Sequence, residues 1–146
     1  MLAPKPHLLF FKDGVEVEGG RVTQLDWGEM GLIGAIPAEI GALSALTDLR
    51  LGHNKLHGAI PPTIGALSSL TYLDLRHNSL SGVVPYSLSN LTNLKNLSLS
   101  INNLSNEPDN DLNGKKQIQD YFISLIRHLT IRFLNYGIAI TKKRQD

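Results

Sequence analysis

The chain has 146 residues, 42% of them apolar and only 6% aromatic, enough for one continuous core with no obvious second domain. A formal net charge of +1 gives none of the basic stripe that nucleic-acid binding requires. The absence of cysteine excludes disulfides, thiolate zinc sites and catalytic thiols.

Near the N-terminus, Leu8-Leu9-Phe10-Phe11 is an apolar run too short for the hydrophobic region of a signal peptide, and Pro4 and Pro6 stand ahead of it. No secretory signal is visible, and together with the missing cysteines this predicts a reducing, cytoplasmic setting. Val15, Val17 and Val22 then alternate around Gly19-Gly20, which predicts a β-hairpin that covers the edge of the next strand.

The middle of the chain is one unit written several times. Leu46 opens LTDLRLGHNKLHGAIPPTIGALSSL, Leu70 opens LTYLDLRHNSLSGVVPYSLSNLTNL, and Leu94 begins LKNLSLSINNLS; a weaker copy starts at Val22, with Trp27 and Met30 where later copies carry leucine and asparagine. Self-similarity at a fixed period means a solenoid whose units bury their apolar faces only against their neighbours. Within each unit the leucines alternate, which predicts one short strand per repeat, and equal connection lengths stack these strands in parallel about 4.8 Å apart. Leu25, Leu49, Leu73 and Leu97 then form one buried column, and Trp27, Leu51, Leu75 and Leu99 another. Gly34, Gly58 and Gly82 supply permissive backbone, and Pro37, Pro61 and Pro85 set an extended-to-turn transition before a short helical turn.

The pattern LxxLxLxxNxLxGxIPxxIGxLxx resembles the plant-type leucine-rich repeat over about residues 21–105. That resemblance implies an α/β fold, a right-handed leucine-rich-repeat solenoid with a short parallel β-sheet on its concave face. It also implies that Asn54, Asn78 and Asn102 form a ladder that satisfies loop amides and carbonyls of neighbouring repeats. Extracellular members of the family generally begin with a cap resembling W-x-G-V-x-C, followed by G-R-V. Here Lys12-Asp13-Gly14-Val15-Glu16-Val17 and Gly20-Arg21-Val22 keep the Gly-Val and Gly-Arg-Val landmarks but place Lys12 at the tryptophan and Val17 at the cysteine. The expected organisation is a hairpin cap over 1–20, about four repeats over 21–106, and a polar turn with a C-terminal α-helical cap over 107–146.

Function in such a frame falls to side chains on the strand face directed away from the core. Read across repeats, one column is Gln24, Asp48, Tyr72, Asn96, the next Asp26, Arg50, Asp74, Ser98, and the third Gly28, Gly52, Arg76, Ser100. Neighbours in these columns differ while the core repeats, as expected of a binding surface, and Tyr72 among Arg50, Asp74, Arg76 and His77 is the richest anchor. The plainer reading is that Asp26, Arg50 and Asp74 pair across strands, each exposed pair contributing about 0.2–1 kcal/mol. His53 and His77, with Glu29 one repeat earlier, have the residue types of a zinc site, but a repeated position yields repeated histidines without any metal. No serine, histidine and acid combination has distinguishing context, no Gly-rich phosphate loop precedes a helix, and neither catalysis nor a cofactor is expected.

Three glycosylation sequons, Asn90-Leu91-Thr92, Asn96-Leu97-Ser98 and Asn103-Leu104-Ser105, oppose the cytoplasmic expectation. A repeat written in Asn, Leu, Ser and Thr generates them by composition alone. The third repeat breaks at Leu104-Ser105-Asn106-Glu107-Pro108, and residues 109–120 reproduce the D-x-D-x-N-G opening of a calcium loop, though with Asp120 for the usual Glu and Lys116 at the apolar position. The competing reading is a polar turn leading to a helix N-terminus. From about Lys115 the period becomes helical, with Ile118, Phe122, Leu125, Leu129 and Phe133 on one stripe; Arg127, His128 and Arg132 argue against a membrane span.

The sequence thus predicts a non-catalytic scaffold that binds a protein or peptide partner. A calcium-dependent or membrane-surface module in the C-terminal third is the alternative, as is a fragment of a larger leucine-rich-repeat receptor or kinase.

Overall fold

The protein is seen in a computed structural model that describes residues 9–11 and 14–105. The polar turn, the calcium-like segment and the helix expected over 107–146 lie outside the described residues.

Chain order gives β1 (Leu9–Phe11), β2 (Val15–Glu18), β3 (Arg21–Asp26), β4 (Ile33–Gly34), β5 (Asp48–Arg50), β6 (Lys55–Gly58), β7 (Tyr72–Asp74), β8 (Ser79–Val83), β9 (Asn96–Ser98) and β10 (Asn103–Ser105). They form two sheets, one ordered β1-β2-β3-β5-β7-β9 and the other β10-β8-β6-β4. From β3 onward every pairing in the first sheet is parallel. Its register aligns Leu25 with Leu49, Leu73 and Leu97, as the 24-residue period requires. A second parallel sheet is absent from the sequence reading, yet the alternation in Lys55–Gly58, where only Leu56 is buried, is its signal.

At the N-terminal edge, β2 runs antiparallel to β3 through the Gly19-Gly20 turn, with a bulge between Glu16 and Val17, and β1 pairs antiparallel to β2. Both turn glycines sit at positive φ, 56° and 75°. Gly14 is tied down more tightly: its carbonyl accepts the Asp26 amide at 2.6 Å, and a Cβ there would overlap the Asp26 carbonyl oxygen.

Each repeat returns through a 3-10 turn, at Ala38–Ala42, Pro62–Ala66 and Tyr86–Asn90; no α-helix occurs among the described residues. Pro37, Pro61 and Pro85 precede these turns in extended geometry, φ near −70° and ψ near 133–145°, the conformation proline favours. The core fills the space between strands and turns. Leu46, Leu49, Ile64, Leu67, Leu70, Leu73, Leu75, Leu80 and Leu88 have no exposed surface, while Leu97, Leu99 and Leu104 of the last repeat are only partly buried. A fully buried leucine contributes about 1.5–3 kcal/mol, so the leucine columns are the principal source of stability.

Two polar ladders lace the repeats. Asn54 Oδ1 accepts the Leu32 amide at 2.9 Å, and its Nδ2 donates to the carbonyls of Trp27 and Leu51. Asn78 does the same between Leu56 and the carbonyls of Leu51 and Leu75, and Asn102 between Leu80 and the carbonyls of Leu75 and Leu99. The second ladder is of threonines: Thr47 and Thr71 each donate their hydroxyl to the carbonyl 24 residues earlier, at 3.0 Å.

Candidate functional site

The same register that buries the leucines carries the polar columns of the first sheet. Gln24, Asp48, Tyr72 and Asn96 are direct strand partners, as are Asp26, Arg50, Asp74 and Ser98. Because side chains alternate along a strand, these flank the leucines on the opposite face.

Arg50 is the hub. Its Nε and Nη2 donate to both carboxylate oxygens of Asp48, at 2.8 and 3.1 Å, and Asp26 stands 3.9 Å away on the neighbouring strand. Its guanidinium lies 4.6 Å from the centroid of the Tyr72 ring, within cation–π range. The hydrogen bond to Asp48 is the largest influence raising the Arg50 pKa above its ordinary value; burial opposes it, and the charges of Asp48 and Asp26 add to it. Arg50 is therefore a cation held by Asp48 over an aromatic ring.

The expected ladder of alternating charges forms only in part. Asp26 meets Arg50 across strands, but Asp74 takes Arg76 instead, its Oδ1 accepting the Arg76 amide at 3.0 Å and its Oδ2 lying 3.1 Å from Arg76 Nε. Asp74 is 6% exposed. Its room comes from Gly52, where a Cβ would lie 3.0 Å from the Asp74 carboxylate. Asp74 thus orients Arg76 and offers little surface of its own, whereas Asp26, Arg50, Arg76, His77 and Asn96 are exposed and Gln24, Asp48, Tyr72 and Ser98 are half-buried.

His53 and His77 stack with ring centroids 4.2 Å apart and planes 15° from parallel. Stacked rings direct their nitrogens outward from their edges rather than toward a shared point, and no group of three metal-ligating side chains gathers among the described residues. The sequence reading missed the backbone of this column. Glu29, His53, His77 and Ile101 all have φ between 52° and 60°, a left-handed conformation unusual for residues other than glycine. Among the described residues no helix is long and apolar enough to cross a membrane.

The family described as Leucine rich repeat matches residues 44–104. Among solved structures, the ectodomain of BIR2 from Arabidopsis thaliana is 36% identical, with a TM-score of 0.59, over 62% of this chain and 50% of that one. The leucine-rich-repeat ectodomain of the receptor kinase SOBIR1 from the same plant is 43% identical, with a TM-score of 0.56, over 57% of this chain and 46% of that one. The ectodomain of the Arabidopsis membrane receptor kinase GASSHO1/SCHENGEN3, solved in complex with CASPARIAN STRIP INTEGRITY FACTOR 2, is 39% identical, with a TM-score of 0.56, over 68% of this chain and 11% of that one. The chain therefore spans about half the length of the first two and a small part of the third. No curated protein matches it.

These matches overturn the cytoplasmic expectation, because all three structures are ectodomains, two of them of receptor kinases. The physical reason lies in what cysteine does here. Leucine columns and the asparagine ladder hold the described repeats without a disulfide, so a missing cysteine pair does not report a reducing compartment. Period, ladder and matched solved structures agree that this chain carries a segment of the plant-type leucine-rich-repeat family.

Proposed function

We propose that the chain is a non-catalytic recognition module of an extracellular setting, and that a protein or peptide partner docks on the face of β3, β5, β7 and β9. The observation that carries this reading is the register itself: a repeated apolar face is sealed while the opposite columns, Gln24-Asp48-Tyr72-Asn96 and Asp26-Arg50-Asp74-Ser98, vary from strand to strand. Arg50 on Tyr72 gives that surface a preorganised centre, and arginine and aromatic residues are over-represented among the anchors of protein interfaces. The complex of GASSHO1/SCHENGEN3 with CASPARIAN STRIP INTEGRITY FACTOR 2 supports a protein or peptide ligand for a similar scaffold. In this reading β2 pairs along the open edge of β3, with Val15 opposite Leu25, and acts as the N-terminal cap.

The test is a paired substitution, Arg50→Ala with Tyr72→Ala, in the full chain. Both side chains leave the fully buried columns intact, so the urea midpoint should move little. Capture of a ligand from extracellular fluid by the unaltered protein should fall at least tenfold in the variant. Undiminished capture would place recognition on another surface.

A further inference from the structure

The asparagines of the described residues divide into two classes. Asn54, Asn78, Asn93 and Asn102 each commit Nδ2 to a carbonyl of another repeat, at 2.8–2.9 Å. None of these four begins an Asn-x-Ser/Thr sequence. Asn90, Asn96 and Asn103 are exposed, and among the described residues their side-chain amides make no hydrogen bond. These three, and no others in this region, begin sequons. Composition alone explains why sequons occur in an Asn-, Leu- and Ser-rich repeat; it does not explain why they coincide with the asparagines that have no structural task.

We propose that Asn90, Asn96 and Asn103 are N-glycan acceptors. The proposal rests on the extracellular reading above, since the reaction requires a lipid-linked oligosaccharyl diphosphate and a transferase of the secretory pathway. In the step, Nδ2 forms a bond to the anomeric carbon of the first sugar, the bond from that carbon to the phosphate oxygen breaks, the amide loses one proton, and the lipid diphosphate departs. Nδ2 carries the sugar in the product, so the fold accommodates a glycan only where that atom has no structural bond to keep; the ladder asparagines fail this condition and these three meet it.

Asn90 ends the last 3-10 turn, Asn96 opens β9 and Asn103 opens β10, each strand being the terminal member of its sheet among the described residues. Bulky hydrated groups there oppose strand addition at an edge whose leucines are only partly buried. A glycan on Asn96 also covers the β9 end of the polar face and shifts partner contact toward Gln24, Asp48 and Tyr72.

The experiment has two arms, both using the full chain in plant cells. The endogenous protein, detected with an antibody raised against the repeats, should be found in the secretory lumen or outside the cell and should shift in mobility on enzymatic deglycosylation; a cytosolic, unshifted protein overturns the modification together with the extracellular reading. With an added secretion signal, the chain should lose its sugar in three steps, each of Asn90→Gln, Asn96→Gln and Asn103→Gln removing one and Asn93→Gln removing none. A secreted, protease-resistant chain without sugar on these sites overturns the acceptor assignment and leaves the partner-binding reading standing.

Discussion

At the scale of single residues, the ladder asparagines and the left-handed column make opposite demands. Asn78 alone supplies the acceptor for the Leu56 amide, whereas the Leu51 and Leu75 carbonyls each have a second asparagine donor. Asn78→Leu therefore orphans one amide, and the expected loss is about 1–3 kcal/mol, read from the urea midpoint. Asn78→Asp keeps the acceptor and the shape but turns a carboxylate toward carbonyl oxygens, so it should be no better tolerated than leucine. A stable Asp variant would show that Nδ2 donation is dispensable. Ile101 is the converse case, an exposed β-branched residue held at φ 55°. Left-handed backbone is unfavourable for such a residue by about 1–2 kcal/mol and asparagine tolerates it better, so Ile101→Asn should raise the midpoint, by the equivalent of up to about 1 kcal/mol of stability. No gain would mean that Ile101 buries more than its 57% exposure indicates.

At the scale of elements, successive 3-10 turns approach each other too closely at Gly41 and Gly65 to admit a side chain. A Cβ on Gly41 would lie 2.4 Å from the Thr63 carbonyl oxygen, and one on Gly65 would lie 2.4 Å from that of Ser87. Both obstacles are backbone, which cannot swing aside as a flexible side chain would. Gly65→Ala should therefore cost about 1–3 kcal/mol by forcing the turns apart. The equivalent position in the next repeat is Ser89, whose hydroxyl donates to the Tyr86 carbonyl. Ala66→Ser, one position along and exposed, is the control and should change little. Elements of this kind were only partly legible in the sequence. The alternating leucines announced the first sheet, because a buried side must repeat whenever the strand does. The second sheet, the threonine ladder and the spacing role of Gly41 and Gly65 went unread for a common reason: each depends on what the neighbouring repeat places opposite, which a pattern within one repeat does not state. The polar columns were legible as positions but not as partners. Asp48 and Arg50 were known to share a face, yet which carboxylate Arg50 chooses depends on side-chain reach, and the burial of Asp74 follows from a glycine one repeat away.

At the scale of the whole molecule, a solenoid is stabilised by nearest-neighbour interfaces, so its ends hold less tightly than its middle. The described repeats show this gradient directly: Leu49 and Leu73 are completely buried, while their column mate Leu97 is not. The backbone bonds follow the same order, since Leu51 donates to the Asp74 carbonyl inside the stack and Leu75 donates to Ser98 on the last strand of that sheet among the described residues. Local opening from the β9 edge needs fewer contacts broken than opening at β5, and it exposes the Leu75 amide before the Leu51 amide. Native-state hydrogen exchange should therefore find Leu51 the slower of the two, and Leu73→Ala should destabilise by about 2–5 kcal/mol while Leu97→Ala costs distinctly less. Equal protection of the two amides, combined with equal penalties for the two truncations, would mean that the terminal repeat is as well covered as the interior ones, and the polar face would then be held rigid along its full length rather than most firmly around Arg50 and Tyr72.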